Sequence, residues 1–252
     1  MSNVAKSMRN QVVLVTGATG GLGSAICQAF AQQGAQVVVA YRSSSNNAQA
    51  LCDALDGDGH QTLYTPVDDS SALTRAAQEV ERRYGKLFCL VNNAGMTKSV
   101  PHEDLDGLDD ELIDEIFRTN WRGPFACARA FRPLLKKSGD GVIVNISSIA
   151  AQTGMGSNVA YCASKAALDS MTRSLARALA PQIRVLSVAP GLVDTNFIKG
   201  LDQQWRDEQV QSTPLQRLAK PEEVARAVVM AAVDLTFTTG VSIPVDGGRP
   251  LA

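Results

Sequence analysis

Short apolar runs alternate with longer amphipathic stretches along most of the chain. The first run, residues 11–16, is rich in β-branched residues, as are strands buried on both faces of a parallel sheet. Residues 21–33 then place apolar side chains at helical spacing, and Gly34 follows where a helix end favours a left-handed residue. This first unit predicts a strand followed by a helix.

The same alternation continues to the C-terminus. Further strands are predicted at residues 36–41, 61–67, 87–91, 141–146, 183–188 and 241–245. Further helices are predicted at residues 46–55, 71–84, 108–135 and 159–179, with a last one beginning at Pro221. Because strands and helices alternate strictly, we expect an α/β fold with a parallel sheet, helices on both faces and right-handed crossovers.

The chain shows no internal repeat and no linker, so residues 1–252 are predicted to form a single domain. Residues 1–10 are expected to be a flexible tail. The least regular stretch, residues 191–218, is expected to be a substrate loop or lid, because long connections in compact folds usually serve binding. The alternative is a surface excursion that contains one more helix.

Composition excludes several function classes. A formal net charge of −1 and a pI near 6.1 argue against nucleic acid as the main partner. Five cysteines without a C-x-x-C motif indicate reduced thiols in a cytoplasmic protein. No apolar run is long enough to span a membrane, and residues 1–11 lack the apolar core of a secretory signal. Because only two histidines are present, no metal site is expected.

A glycine-rich turn joins the first strand to the first helix. Glycines here let the backbone approach a pyrophosphate, and the helix N-terminus offers free N–H groups. The spacing differs from G-x-G-x-x-G and matches a T-G-x-x-x-G-x-G turn, although a simple tight turn is the alternative. The candidate cofactor-binding residues are Gly17, Ala18, Thr19, Gly20, Gly21, Leu22 and Gly23.

The end of the second predicted strand bears on cofactor choice. Folds that select NAD usually place an acidic residue here, whereas an arginine accommodates the 2′-phosphate of NADP. The strand ends in Tyr41, Arg42 and Ser43, with no acid. We therefore expect NADP(H); the alternative is that Arg42 is a solvated loop residue and that NAD is accepted too.

Tyr161 and Lys165 lie four residues apart in a predicted helix and therefore share one face. An ammonium beside a phenol favours the phenolate and lowers its pKa, which suits general acid–base chemistry. A surface Tyr–Lys pair is the alternative. Ser148 follows the end of another predicted strand, at the edge of the sheet where ligands bind in α/β folds. Asn120 lies inside a helical stretch, where its amide either kinks the helix or is an ordinary helix residue.

Taken together, these motifs resemble the short-chain dehydrogenase/reductase family. The matching pieces, in the family's order, are the glycine turn, Asn92-Asn93-Ala94-Gly95, Asn120, Ser148, Tyr161-x3-Lys165, Pro190-Gly191 with Thr195, and Val245-Asp246-Gly247-Gly248. The resemblance implies a Rossmann-type, doubly wound sheet of about seven parallel strands. It is closest to bacterial 3-oxoacyl-[acyl carrier protein] reductases and glucose dehydrogenases.

The resemblance also implies roles for individual residues. Tyr161 would be the general acid or base, Lys165 would lower its pKa and hold the nicotinamide ribose, and Ser148 would hydrogen-bond the substrate oxygen. Asn120 would hold a water that carries protons. The remaining cofactor contacts would come from Asp68 and Asp69 by the adenine, from Asn92, Asn93, Ala94 and Gly95 along the cofactor, and from Pro190, Gly191, Val193 and Thr195 at the nicotinamide.

The implied function is hydride transfer between NADP(H) and a carbonyl/secondary alcohol pair, with the substrate unassigned among 3-oxoacyl compounds, sugars and other small ketones. Two departures from the family pattern stand out: many NADP-dependent members have a basic residue where this chain has Gly20, and an apolar residue is common at position 69, where this chain has Asp69. The alternatives are a nucleotide-sensing regulatory protein and an epimerase or dehydratase that uses the cofactor transiently.

Three further expectations concern surfaces. Family members pair the helices equivalent to residues 121–135 between subunits, which implies a homotetramer or homodimer; the alternative is burial against the chain's own sheet. Eight acidic residues at positions 103–115 lack calcium-loop spacing and are expected to lead into a helix N-terminus. Phe197, Trp205 and Met155 are candidates for an apolar substrate pocket. Cys162 is interpreted as a space-filling residue rather than a reactive thiol.

Overall fold

Seven parallel strands form one sheet in the order β3-β2-β1-β4-β5-β6-β7 in a computed structural model that describes residues 8–195 and 202–251. The strands are β1 (Val12–Val15), β2 (Gln36–Tyr41), β3 (Gln61–Tyr64), β4 (Cys89–Asn92), β5 (Gly141–Ile146), β6 (Ile183–Pro190) and β7 (Ser242–Val245). The chain reverses its direction of progress across the sheet between β1 and β4, which is where ligands bind in such folds. The predicted doubly wound α/β fold is therefore confirmed.

Helices cover both faces of the sheet. They are α1 (Gly21–Gln32), α2 (Ser45–Asp53), α3 (Ser70–Tyr84), α4 (Asp110–Phe117), α5 (Gly123–Lys137), α6 (Ala150–Thr153), α7 (Val159–Leu179), α8 (Gln203–Gln211) and α9 (Pro221–Val233). A π-helical turn, Arg118–Arg122, joins α4 to α5, and a 3₁₀ turn, Arg249–Leu251, ends the described chain. None of the helices in the described ranges is long and apolar enough to cross a membrane.

The hydrophobic core has two parts, one on each face of the sheet. Alternate residues of a strand point to opposite faces. Accordingly, Val13 and Val15 of β1 belong to the part built with α1 and α9, whereas Val12 and Leu14 belong to the part built with α3 and α5. Burial on both faces explains why the strands are continuous apolar runs in the sequence.

The chain ends and the long connection differ in detail from the sequence predictions. Met8, inside the predicted tail, is buried, and its N–H donates to the Gln33 carbonyl oxygen at 3.1 Å. Residues 1–7 lie outside the described part. Within the predicted lid, α8 is a helix, while residues 196–201, including Phe197, lie outside the described residues.

The acidic stretch does lead into a helix. Asp109 caps α4 by accepting a 2.8 Å hydrogen bond from the Leu112 N–H, and Asp110 and Glu111 lie in the first turn. Negative charge is stabilising at this end of a helix because the helix dipole is positive there.

Candidate active site

A cleft of about 560 Å³ opens at the carboxyl edge of the sheet. Residues from the glycine turn, from the ends of β2, β4, β5 and β6, and from α7 meet in it. The predicted site residues that line it are Gly17, Thr19, Gly20, Gly21, Leu22, Gly23, Tyr41, Arg42, Ser43, Asn93, Ala94, Gly95, Ser148, Tyr161, Lys165, Pro190, Gly191, Val193 and Thr195.

Seven lining residues were not predicted. They are Thr65, Val67, Met96, Thr97, Thr119, Ile146 and Ser147. Most of them directly follow or end a strand, or continue the Asn93–Gly95 segment. The rule that ligands lie beyond the carboxyl ends of parallel strands was the signal that could have found these.

The glycine turn is too tightly packed for side chains at two positions. Gly17 has a φ of +62°, and a Cβ there would lie 2.9 Å from the Ala94 Cα. A Cβ on Gly23 would lie 2.3 Å from the Gly17 carbonyl oxygen. The N-cap of α1, Gly20, provides no side-chain cap, so the first N–H groups of the helix point to the cleft without an internal acceptor. This cradle fits the pyrophosphate of a dinucleotide.

Asn93 fixes the end of β4 to the glycine turn. Its side-chain amide donates to the carbonyl oxygens of Thr16 and Gly17 at 2.9 and 3.0 Å. The Thr16 hydroxyl in turn accepts hydrogen bonds from the main-chain N–H groups of Asn93 and Ala94, both at 3.0 Å. The segment along the cofactor side of the cleft is thus held in place by the first two residues of the glycine turn.

Four predicted cofactor residues do not line the cleft: Ala18, Asp68, Asp69 and Asn92. The side chain of Asn92 instead donates to the side chain of Asn145 at 2.8 Å inside the sheet. Asp69 caps α3 by accepting from the N–H groups of Ser71 and Ala72, and these bonds lower the pKa of its carboxyl. These two polar side chains are occupied by structural bonds.

Tyr161 and Lys165 lie next to each other on α7. The Lys165 ammonium is 5.7 Å from the centroid of the Tyr161 ring and donates to the Ile146 carbonyl oxygen at 2.8 Å. Burial lowers the pKa of Lys165 to about 8, and the nearby Asp169 carboxylate opposes that shift. Burial lowers the pKa because the charged form of lysine is disfavoured away from water.

The pKa of Tyr161 differs from the sequence expectation. Burial raises the pKa of its phenol, while the Ser148 hydroxyl acts in the opposite direction. The expected lowering by Lys165 is therefore not found, because removal of the phenol from water outweighs its stabilising contacts. A raised pKa keeps the hydroxyl protonated at neutral pH.

Asn120 lies in the π-helical turn and bonds outside its own helix. Its side chain accepts from the Met96 N–H at 2.8 Å and donates to the Met96 carbonyl oxygen at 3.0 Å and to the Ser164 hydroxyl at 3.1 Å. Pro124 has no N–H, so the Asn120 carbonyl lacks its usual partner four residues on. The irregularity expected at Asn120 is therefore a π turn, and its amide holds the cleft wall.

Comparison with known proteins identifies the family of this chain. The sequence profile described as enoyl-(acyl carrier protein) reductase matches residues 17–249. Granaticin polyketide synthase putative ketoacyl reductase 2 of Streptomyces violaceoruber is 37% identical over 246 residues, covering 95% of this chain and 96% of that protein. The chain belongs to the short-chain dehydrogenase/reductase family.

Two further relatives agree with this assignment. The 3-oxoacyl-[acyl-carrier-protein] reductase of Thermotoga maritima is 34% identical and covers 96% of this chain and 98% of that protein. A crystal structure of a short-chain dehydrogenase/reductase from Brucella melitensis, titled glucose/ribitol dehydrogenase, has a TM-score of 0.90 and 31% identity, over 96% of this chain and 98% of that one. The predicted family is confirmed.

As a short-chain dehydrogenase/reductase, the chain is an oxidoreductase that uses a nicotinamide cofactor, NAD(H) or NADP(H). Two of the residues predicted to line a substrate pocket lie elsewhere. Met155 and Trp205 are exposed and do not line the cleft. Helix α8 is held beside the cleft by an ion pair of 3.5 Å between Arg206 and Asp194.

Proposed function

We propose that this chain is an NADP(H)-dependent reductase that converts a carbonyl to a secondary alcohol, with 3-oxoacyl thioesters as the first substrate class to test. The observation that carries the proposal is that Ser148, Tyr161 and Lys165 line the same cleft as the glycine turn. The substrate class is supported by the names of two relatives, a putative ketoacyl reductase and a 3-oxoacyl-[acyl-carrier-protein] reductase.

In this proposal the chain supplies a proton and a polarising environment. The Tyr161 hydroxyl donates its proton to the substrate oxygen, and the Ser148 hydroxyl donates a hydrogen bond to the same oxygen as negative charge develops there. The bound nicotinamide supplies the hydride. The Lys165 ammonium, held by the Ile146 carbonyl, stabilises the phenolate that remains.

Reprotonation of Tyr161 is assigned to Lys165 and to a water held by the Asn120 carbonyl. Pro124 has no N–H to donate to that carbonyl four residues back, and a carbonyl oxygen has two lone pairs, so it can accept a hydrogen bond from a water. The Asn120 side chain is fully used by Met96 and Ser164 and therefore serves to fix the turn.

NADP(H) is proposed over NAD(H) because of the end of β2. Arg42 is exposed, lines the cleft and has no acidic neighbour at the strand end. A guanidinium suits a phosphate monoester, whereas ribose hydroxyls favour a carboxylate. The amide groups at the start of α1 and the glycine turn would hold the pyrophosphate.

Self-association through α5 is also proposed. Trp121 and Phe125 stack with ring centroids 6.1 Å apart on the surface, at 37% and 38% exposure. Stacked aromatic side chains left on a surface favour burial against another protein. A homotetramer or homodimer would cover them, and light scattering of the Trp121→Ala, Phe125→Ala double variant, with loss of the oligomer expected, tests this.

The function is tested by cofactor turnover with 3-oxoacyl thioesters, sugars, ketones and secondary alcohols. Tyr161→Phe should lower the rate by at least about 100-fold, since a positioned proton donor typically contributes 10²–10⁴-fold. Tyr84→Phe is the control, because the Tyr84 hydroxyl bonds the Gly59 carbonyl away from the cleft. A Tyr161→Phe rate within a few-fold of the parent contradicts the proposal.

Two other outcomes identify the alternatives. Turnover without net consumption of NADPH indicates an epimerase or dehydratase. Tight NADP(H) binding without turnover on any substrate indicates a regulatory protein.

A further inference from the structure

Asn158 joins the first turn of α7 to the wall of the cleft. Its side chain is completely buried, at 0% exposure, and lies between the segment that follows β4 and the helix that carries Tyr161. We propose that Asn158 is a positioning residue, which sets the location of the Tyr161 hydroxyl relative to the cleft wall. The inference rests on the proposed role of Tyr161 in proton transfer.

The amide of Asn158 uses both of its ends. Its oxygen accepts a 2.7 Å hydrogen bond from the Tyr161 main-chain N–H and so caps α7. Its nitrogen donates to the Lys98 carbonyl oxygen at 2.8 Å and to the Thr97 hydroxyl at 3.3 Å. Because a backbone N–H needs an acceptor and a backbone carbonyl needs a donor, only one orientation of the amide satisfies both.

Capping alone does not require this residue type. Serine and aspartate cap helices about as well as asparagine, because only an acceptor oxygen is needed. The side-chain NH₂ of Asn158 is not needed for capping, so its hydrogen bonds to the Thr97 hydroxyl and the Lys98 carbonyl are surplus to that role. Thr97 itself lines the cleft. The surplus bonds therefore connect a cleft residue to the backbone of the proposed general acid.

A second connection holds the neighbouring residue of the same wall. Asn120 bonds both main-chain groups of Met96, and its third hydrogen bond reaches the Ser164 hydroxyl on α7. Residues 96–98 are thus attached to α7 at two successive points. Loss of the Asn158 bonds leaves in place the Asn120 attachment and the hydrogen bonds of Ser157 to the Thr97 hydroxyl and the Val100 N–H, so the wall should loosen locally without unfolding.

The cofactor side of the wall should not be affected. Asn93 and Ala94 are held by Thr16, which directly follows β1, independently of Asn158. Removing the Asn158 donors should therefore lower kcat while KM for NADP(H) stays within about twofold. A displacement of about 1 Å at a reacting group costs up to about 100-fold in rate. We expect kcat to fall by roughly 10- to 100-fold.

The test compares variants that separate the two halves of the amide. Asn158→Ser keeps a capping oxygen and removes the amide NH₂, so its melting temperature should fall by only a few degrees while kcat falls out of proportion. Asn158→Asp also keeps the cap, but it places a buried carboxylate oxygen against the Lys98 carbonyl oxygen and should lose more stability. Asn158→Ala removes both halves and should lose stability as well. Asp109→Ala, which removes the cap of α4 away from the cleft, is the control and should keep the parental kcat.

A readout that does not depend on turnover accompanies the kinetics. Hydrogen exchange of residues 97–102 should be faster in Asn158→Ser and Asn158→Asp than in the parent. The Lys98 carbonyl loses its donor, so the segment, which Ser157 still holds through the Thr97 hydroxyl and the Val100 N–H, should open more often. Parental kcat in both variants overturns the inference, as does a fall in kcat that merely follows the fall in melting temperature across all four variants.

The two proposals fail differently. If Tyr161→Phe retains activity, the proposed function fails, although faster exchange at residues 97–102 would still report the Asn158 connection. If Tyr161→Phe is inactive and Asn158→Ser and Asn158→Asp are fully active at parental KM, only the positioning inference fails.

Discussion

The Lys165 ammonium donates a 2.8 Å hydrogen bond to the Ile146 carbonyl oxygen at the carboxyl end of β5. Only 6% of Lys165 is exposed, so its charge is held almost entirely by protein groups. This contact aims the side chain of an α7 residue at the strand end that leads to Ser148. The price is a buried cation, which is why the pKa of Lys165 falls to about 8.

The first prediction concerns the pH dependence of stability. In the folded state Lys165 has a pKa of about 8, below the 10.5 expected for an exposed lysine. Below pH 8 both states are protonated, whereas between pH 8 and 10.5 the folded state releases its proton first. The unfolded state then binds more protons, so this group's contribution to the free energy of unfolding rises with pH.

The free energy of unfolding of Lys165→Met should therefore fall relative to that of the parent as the pH rises from 8 to 10.5. The measurement is the difference in urea unfolding free energy between the two proteins at pH 7, 9 and 10. Burial raises the pKa of all five cysteines, which weakens both proteins at alkaline pH, but this effect cancels in the difference. A difference that does not change with pH contradicts the assignment; exposed Lys136→Met is the control.

The second prediction concerns the glycine turn. Gly23→Ala places a methyl group 2.3 Å from the Gly17 carbonyl oxygen and 2.8 Å from the Asn93 side chain, so the turn must open. We expect loss of cofactor binding and a melting temperature several degrees lower. Gly20→Ala, whose methyl group meets only the Gly17 oxygen at 3.5 Å, should keep the parental melting temperature. Equal melting temperatures for both variants would refute this packing argument.

The third prediction concerns cofactor choice. If Arg42 binds the 2′-phosphate, Arg42→Ala should weaken NADP binding by roughly 10- to 100-fold, which is the loss expected for a hydrogen bond between charged groups. NAD binding should change by less than about twofold, because NAD lacks that phosphate. Calorimetric titration with both nucleotides measures the two affinities. Equal weakening for NADP and NAD would assign Arg42 a general role.

The fourth prediction concerns the polar chain inside the sheet. Asn145 accepts from Asn92 and donates to the Thr172 hydroxyl, both at 2.8 Å, and Thr172 also contacts the Ser187 hydroxyl. Asn145→Ala leaves buried partners unsatisfied and should reduce the free energy of unfolding by about 1–3 kcal/mol. Exposed Asn47→Ala should be neutral. Urea unfolding measures both changes. A neutral Asn145→Ala would show that these buried side-chain hydrogen bonds add no stability.

Much of the fold was predictable because buried parallel strands are continuous apolar runs, but their ends were not. The third strand was predicted to extend through residue 67, whereas β3 ends at Tyr64. Thr65 and Val67 lie beyond the strand and are buried at the cleft, although the Thr65 N–H still donates to the Tyr41 carbonyl oxygen at 2.7 Å. Burial gives the same apolar signal in the sequence as strand pairing does. Conversely, β6 runs on to Pro190, which pairs with Val245, although Pro190-Gly191 is typical of a turn.

The candidate site was predictable where a residue type itself carries chemistry. Glycines at a strand end, and a tyrosine and lysine one helical turn apart, indicate function through their spacing in the sequence. Asn92 and Asp69 do not line the cleft, because an amide serves equally well as a partner inside the sheet and a carboxylate as a helix cap. Asn158 was missed because its partner Lys98 is 60 residues away and the sequence alone gives no signal of the contact.

Because all seven strands are parallel, their carboxyl ends lie at the edge of the sheet that carries the cleft, and their amino ends lie at the opposite rim. Ser138–Asp140, the short link from α5 to β5, lies at that far rim, and Gly139 is exposed with a φ of +86° and open space around it. An affinity peptide or a fluorescent reporter grafted there would sit a full strand length from the cleft. The enzyme could then be immobilised or tracked while its cofactor pocket remains accessible.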